Sequence, residues 1–169
     1  ASGLVLRTDV IASDGRVLES TAFSDVALAV KPQPQQITAP MKRLEGLRVV
    51  KSASSRTALE AEGWRMKSPP PGFHSVSCVR RTWRAEPRTG TPAEQLDHPV
   101  LQAIYSDGLT HVSLFLEPQR ADRQQPADVV SSGATHSLMT VIGVHDVTVI
   151  GDVPPATLKE FANALERVR

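Results

Sequence analysis

Cysteine is nearly absent from this chain of 169 residues. Cys78 stands alone, which excludes an intrachain disulfide and a metal site built on cysteines, and leaves the redox compartment open. Neither sign of charge is in excess: 19 Lys and Arg balance 18 Asp and Glu, for a net charge of +1. That balance gives no global attraction to nucleic acid or to an anionic membrane, so no nucleic-acid partner is expected and charge matters only in local patches. No hydrophobic run reaches the roughly 20 residues of a bilayer-spanning helix. The richest windows, Leu101 to Leu116 and Met139 to Ile150, are broken by Asp, Gly and His. Also missing are an initiator Met, a basic n-region and an apolar h-region, since Ala1-Ser2-Gly3 runs straight into Leu4-Val5-Leu6. The expectation is a chain that begins inside a longer one.

The patterns that mark catalysis are missing as well. His74, His98, His111, His136 and His145 include no HxH or HxxxH pair, so they read as strand and loop residues rather than ligands. Cys78 lies in a predicted strand with no helix N-terminus to lower its pKa, and reads as a small buried hydrophobe rather than a nucleophile. No Gly-x-Ser-x-Gly elbow frames a serine, and no Gly-rich loop leads to a Lys-Ser/Thr pair. Glu60 and Glu62, two apart on a short predicted helix, point to different faces. No catalytic residue, metal or cofactor is therefore expected, and an enzyme ranks last among the readings.

What is present is ordinary globular composition, 40% hydrophobic and 22% charged. The length allows one domain, or one domain plus a piece of another. Leu4 to Ile11 and Arg16 to Phe23 flank Ser13-Asp14-Gly15, a turn signal, and predict a β-hairpin; Val26 to Val30 is a third short apolar run. Lys31 to Pro40, rich in Pro and Gln, predicts an extended interdomain linker. Beyond it, Leu47 to Val50 predicts a strand, Ser55 an N-cap for a helix over Arg56 to Glu62, and Gly63 its C-terminal stop. His74 to Trp83 has the period of a half-buried strand, with Val76, Cys78, Arg80 and Thr82 on one face. Arg84 to Pro99 predicts a loop, and Val100 to Tyr105 with Leu109 to Leu116 a hairpin through Ser106-Asp107-Gly108. Gln119 to Asp128 predicts an exposed polar stretch.

Thr135 to Ile142 and Val147 to Ile150 predict a second hairpin turned through Gly143 to Asp146. Pro154-Pro155 then opens a helix with Leu158, Phe161, Ala162, Leu165 and Val168 as its core stripe. Strands that come as hairpins, followed by a helix, predict an α+β fold: an antiparallel sheet domain over 41–169 with the C-terminal helix packed on the sheet. Residues 1–30 read as the terminal strands of a larger β-rich N-terminal domain, and 31–40 as the linker.

Two surface features are candidates for binding a partner. Arg80-Arg81-Thr82-Trp83-Arg84, with Arg88, sets four arginines within nine positions beside an aromatic ring. Exposed, this is a guanidinium and indole patch able to pair carboxylates; the competing reading is a solvent face with Trp83 capping the core. The second is Pro69-Pro70-Pro71-Gly72-Phe73 with Trp64 upstream, either a rigid loop presenting apolar rings or a loop with Phe73 tucked beneath it.

Several segments together carry a resemblance: Leu4 to Val10 with Asp14-Gly15-Arg16-Val17-Leu18-Glu19, Gly63-Trp64 before Pro71-Gly72-Phe73, Tyr105-Ser106-Asp107-Gly108-Leu109, and Val147 to Pro155 with its Gly151-Asp152-Val153-Pro154-Pro155 ending. In this order they resemble the MucB/RseB family of periplasmic regulators of the envelope-stress sigma factor. The resemblance implies a non-enzymatic, exported regulator whose small C-terminal domain helps grip the periplasmic region of a transmembrane anti-sigma factor. It implies protection of that factor from regulated proteolysis, which keeps the stress response, and alginate biosynthesis in some members, under negative control. In the family, lipid or lipopolysaccharide sensing belongs to a large lipoprotein-carrier-like N-terminal domain, of which only the last 30 residues or so would be present here. Trp64, Phe73, Arg80, Arg81, Trp83, Arg84 and Arg88 are the candidate contact residues on physical grounds. The alternative is a lipid-carrier-type module, and the open hairpin also allows a homo-oligomer.

Overall fold

The computed structural model describes residues 2–31, 33–43, 46, 54–84, 97–119 and 129–168. The chain divides into two units, Ala1–Lys51 and Ser52–Arg169.

The first unit contains the predicted hairpin. Strand β1 (Arg7–Ile11) pairs antiparallel with β2 (Val17–Ala22), from Arg7 opposite Ala22 to Ile11 opposite Val17. Gly15 turns the chain at φ 86°, and Asp14 accepts from the Arg16 backbone N–H at 3.1 Å and from its Nε at 2.8 Å. Two strands give these side chains little to pack against, and Leu6, Val10, Ile11, Val17 and Phe23 remain exposed. Val26 to Val30 forms no strand.

The extended linker expected over 31–40 is corrected in part, because Pro34–Met41 is a helix, α1. Pro34 occupies its first turn, where the missing N–H has no partner to lose, and Thr38 Oγ1 donates back to the Pro34 carbonyl at 2.9 Å. Pro34 therefore starts a helix instead of extending the chain. The strand expected at Leu47 to Val50 lies outside the described residues.

The second unit is built on a seven-stranded antiparallel sheet. Its strands are β3 (Ser54–Arg56), β5 (His74–Arg84), β6 (Asp97–Ser106), β7 (His111–Pro118), β8 (Val130–Ser132), β9 (Thr135–Ile142) and β10 (His145–Gly151), ordered β3-β5-β6-β7-β10-β9-β8. The Ser106-Asp107-Gly108 hairpin is present as predicted. Asp107 Oδ1 accepts from the Leu109 and Thr110 N–H groups, both at 2.9 Å, and Gly108 sits at φ 94°. The second hairpin turns more tightly than expected, through Gly143 and Val144, which places His145 and Asp146 in β10. Only glycine fits at position 151, since a Cβ there would lie 2.7 Å from the His111 carbonyl oxygen.

Three local expectations are corrected. Ser55 is a strand residue opposite Arg80 rather than a helix N-cap, and the expected helix shrinks to a single 3-10 turn at Glu60–Glu62. So short a helix cannot recover its nucleation cost, whereas the sheet offers ready partners. Gly63 does end that turn in the left-handed conformation, φ 76°. The expected loop Arg84 to Pro99 yields its last residues to β6, where Asp97 lies opposite Arg84.

Helix α2 (Pro155–Ala164) packs on the sheet as predicted, with Leu158 and Phe161 fully buried against Val112, Leu114, Val147 and Val149. Phe161 meets Phe73 edge-to-face with centroids 5.2 Å apart, and lies tilted against Tyr105 at 5.5 Å. The helix ends at Ala164, earlier than the apolar stripe implied, because the chain extends at Leu165. Strand β11 (Leu165–Arg167) there pairs antiparallel with β4 (Trp64–Met66), forming a separate two-stranded sheet. Leu165 is still buried, while Val168 is exposed.

Candidate partner-binding surface

Trp64 and Phe73, candidate contact residues, are core residues, 3% and 8% exposed, so of the two readings of the proline loop the one with Phe73 tucked beneath it holds. Phe73 follows Gly72, whose φ of 87° turns the proline loop so that the ring drops onto Phe161. Trp64 is enclosed between the His145 ring, edge-on at 5.1 Å, and the Arg167 guanidinium, 5.2 Å from the indole centroid. A large aromatic surface gains more from a formed core than from water, and neither ring is available to a partner in this structure.

The arginines of β5 do not share one face. Arg80 follows Cys78 on the side that packs under the core, in the row of Leu101, Leu116 and Val147, while Arg81 stands opposite Val100 on the other side. Arg80 reaches past the end of the core to donate through Nη2 to Glu62 Oε2. Thr57 Oγ1 donates to the other carboxylate oxygen at 2.7 Å. Arg80 first, and then Thr57, hold the Glu62 carboxyl below its ordinary pKa, and Glu62 in turn raises that of Arg80. The Nε of Arg81 is buried without a hydrogen-bond partner. Trp83 and Arg84 close the strand opposite His98 and Asp97, and Arg88 lies outside the described residues. Val76, expected in the Cys78 row, sits instead at an irregularity in the β5–β6 register and is exposed.

Other charged residues join this rim. Arg56 at the end of β3 is exposed, beside Val79 in register. On the two-stranded sheet, Glu166 accepts from Arg65 Nε at 2.9 Å and Lys67 Nζ at 2.6 Å, contacts that lower its pKa, with the Lys67 hydrogen bond the largest cause. Arg167 Nη1 donates to the Glu62 carbonyl. Exposed Arg56, Arg65, Lys67, Arg80 and Arg167 thus outnumber the neighbouring carboxylates, Glu60, Glu62 and Glu166, and make a basic border along β3, β5, β4 and β11. Of these, Arg80 alone belongs to the arginine run visible in the sequence. Arg56 is placed by the pairing of β3 with β5, and Arg65, Lys67 and Arg167 by the pairing of β4 with β11, segments about a hundred positions apart that no local signal joins.

Beside the rim lies a cleft of about 490 Å³, bounded by Thr57, Leu59, Glu60, Ser75, Cys78 and Tyr105. Burial raises the Cys78 thiol to about 11 and lifts the Tyr105 phenol as well, so neither is an activated nucleophile or base at neutral pH. No group of three or more His, Cys, Asp or Glu able to hold a metal occurs among the described residues. Among them, too, no helix is long and apolar enough to cross a membrane.

Residues 58–166 match the family model of the MucB/RseB C-terminal domain. The sigma-E factor regulatory protein RseB of Escherichia coli K12 is 27% identical over 167 residues, 98% of this chain and 47% of its own length. The sigma factor AlgU regulatory protein MucB of Pseudomonas aeruginosa is 29% identical over 168 residues, 95% of this chain and 47% of its own. Among solved structures, the Pseudomonas aeruginosa MucA/MucB complex is similar at TM-score 0.63 and 25% identity, covering 99% of this chain and 52% of the matched one. MucB in complex with MucA(peri) gives TM-score 0.66 at 24% identity, covering 99% and 54%, a likeness of fold. The chain spans about half the length of the curated relatives it matches.

Proposed function

Since the chain belongs to the MucB/RseB family through its C-terminal domain, we propose that it acts in the periplasm as a binding protein for the periplasmic region of a transmembrane anti-sigma factor. By occupying that region it shields the anti-sigma factor from regulated proteolysis and keeps the envelope stress response off. The observation that carries this reading is the likeness, over 99% of the chain, to a MucB solved together with MucA. The basic border of β3 and β5 supports it, because guanidinium groups held on a rigid sheet bind carboxylates at little entropic cost.

The test is a calorimetric titration of the cognate anti-sigma periplasmic segment into the chain and into Arg56→Glu/Lys67→Glu, both exposed members of the border. These two positions leave the Arg80–Glu62 pair intact, so a lost contact is not confused with lost folding. Binding by the wild type, weakened at least tenfold in the double variant and screened by salt, is expected. An undetectable wild-type affinity overturns the function, and unchanged affinity in the variant overturns the surface.

A lipid-binding reading has one observation in its favour, the exposed Leu4, Leu6, Val10, Ile11, Val17 and Phe23 of the hairpin unit. The hollow lined by Val5, Leu6 and Phe23 measures about 110 Å³ and is open to solvent, a poor container for an acyl chain. Native mass spectrometry after mild extraction distinguishes the two, since lipid carriage requires co-purifying lipid.

A further inference from the structure

The partner reading leaves one cluster without a task. At the start of β10 the His145 imidazole stands edge-on to Trp64 at 5.1 Å and an interplanar angle of 81°. Its Nδ1 is buried and has no hydrogen-bond partner. The same indole carries the Arg167 guanidinium at 5.2 Å, and Arg167 lies directly opposite Trp64 in the β4–β11 register. That short pairing is fastened at its ends by Val168 N–H donating to Gly63 O and Lys67 N–H donating to Ala164 O, both at 2.9 Å. His145 is therefore the floor on which Trp64 rests, and Trp64 is the surface on which the C-terminal strand rests.

We propose that this cluster is a proton-operated latch: neutral His145 keeps β11 closed on β4 over Trp64, and protonation of His145 releases the strand.

Two costs fall on the closed state when the imidazole gains a proton. Both ring nitrogens become donors, and Nδ1 has no acceptor within the core. The new imidazolium is also repelled by the Arg167 guanidinium, which sits on the same indole. The surrounding charges do not relieve this. Strand alternation turns Asp146, and Glu117 in the partner strand β7, to the opposite face of the sheet from His145. The register neighbours of His145 are Pro118 and Ile142, both uncharged. On the small sheet Arg65 and Glu166 alternate away from Trp64 and Arg167 and hold each other with Lys67. The Glu62 carboxylate is taken by Arg80 and Thr57. Burial first, and then Arg167, lower the pKa of His145 from its ordinary 6.5. For a base with a lowered pKa in the closed state, closure is fully favoured above about 6.5 and weakens as pH falls through that value toward the lowered one. The open-to-closed ratio then grows about tenfold for each unit separating the two pKa values.

The test follows the intact chain by NMR between pH 7.5 and 5, reading the His145 ring resonances and the exchange of the Val168 and Lys67 amides, corrected for intrinsic rates. The expected result is a His145 pKa below that of the unfolded chain, with both amides losing protection at the same midpoint. In His145→Phe, which keeps a ring but cannot titrate, that step disappears. In Arg167→Gln the His145 pKa moves upward, a readout that holds even if the phenylalanine variant folds poorly. A His145 pKa at or above 6.5 in the wild type, an exchange step that survives in His145→Phe, or an unmoved pKa in Arg167→Gln overturns the latch.

Discussion

Arg80 and Glu62 form an ion pair that ties the middle of strand β5 to the 3-10 turn eighteen positions earlier, and Thr57 completes the carboxylate's coordination at 2.7 Å. The pair fixes Arg80 of the β5 arginine cluster to a partner outside the strand. It removes Arg80 from the group free to meet a ligand and makes it part of the frame.

Truncating Glu62 removes both contacts at once. Glu62→Ala is expected to lower unfolding free energy by about 1 kcal/mol in urea titration at pH 7. Because the folded-state pKa of Glu62 is lowered from 4.5, its contribution is present above that pH and fades as pH falls below it. The wild-type and variant stabilities should therefore converge as pH falls below 4.5, and a gap that widens in acid contradicts the assignment.

Phe161 is fully buried where α2 meets Phe73 and Tyr105. Phe161→Ala leaves those two rings without a packing partner and should destabilise the chain by about 3–5 kcal/mol. A denaturant midpoint close to that of the wild type disproves its central place in the core.

At Gly151 a methyl group would meet the His111 carbonyl oxygen at 2.7 Å and Val112 Cγ2 at 3.0 Å, both on the neighbouring strand β7. Gly151→Ala must spread β10 from β7, at a cost of about 1–3 kcal/mol. Thermal unfolding followed by circular dichroism measures it, with Gly143→Ala as a comparison, where no atom lies within 4 Å but φ is 63°.

Cys78, lifted to about 11, is ionised in about one molecule in a thousand at pH 8, against about one in ten at the ordinary 9.0. Alkylation by iodoacetamide should run about a hundredfold slower in the folded chain than after denaturation. Equal rates would place the thiol in solvent.

Much of the fold was legible because most of its strands are joined by short turns that carry their own signals. Ser106-Asp107-Gly108, Gly143 and Gly63 each mark a reversal or a stop through backbone chemistry that acts over a few residues. The apolar stripe of α2 named its buried face through Leu158 and Phe161. For Trp64 and Phe73 the sequence leaves open whether the rings are presented or buried, for the opposite reason. Their neighbourhoods are prolines, glycine and charges, and what covers them arrives from β10, α2 and β11, far along the chain. The arginine run was visible as composition, but its division between two faces, and the capture of Arg80 by Glu62, depend on register with β3 and β6. Pro34 breaks a helix only in its interior, and at a first turn, where it sits, the same ring is harmless.

The pairing of β11 with β4 also sets when the second unit can finish folding. Arg167 donates to the Glu62 carbonyl across 105 positions of sequence. A chain emerging from a ribosome or a translocation pore can assemble its hairpins as they appear, and His145 reaches Trp64 with β10, but the side of the indole that Arg167 covers stays open until residues 165–167 are out. Completion is thus a late, long-range event, slow by the rule that distant contacts carry a large loop-closure cost. Until that last strand arrives, the half-built unit holds one side of an indole open to water and to any chaperone that recognises one.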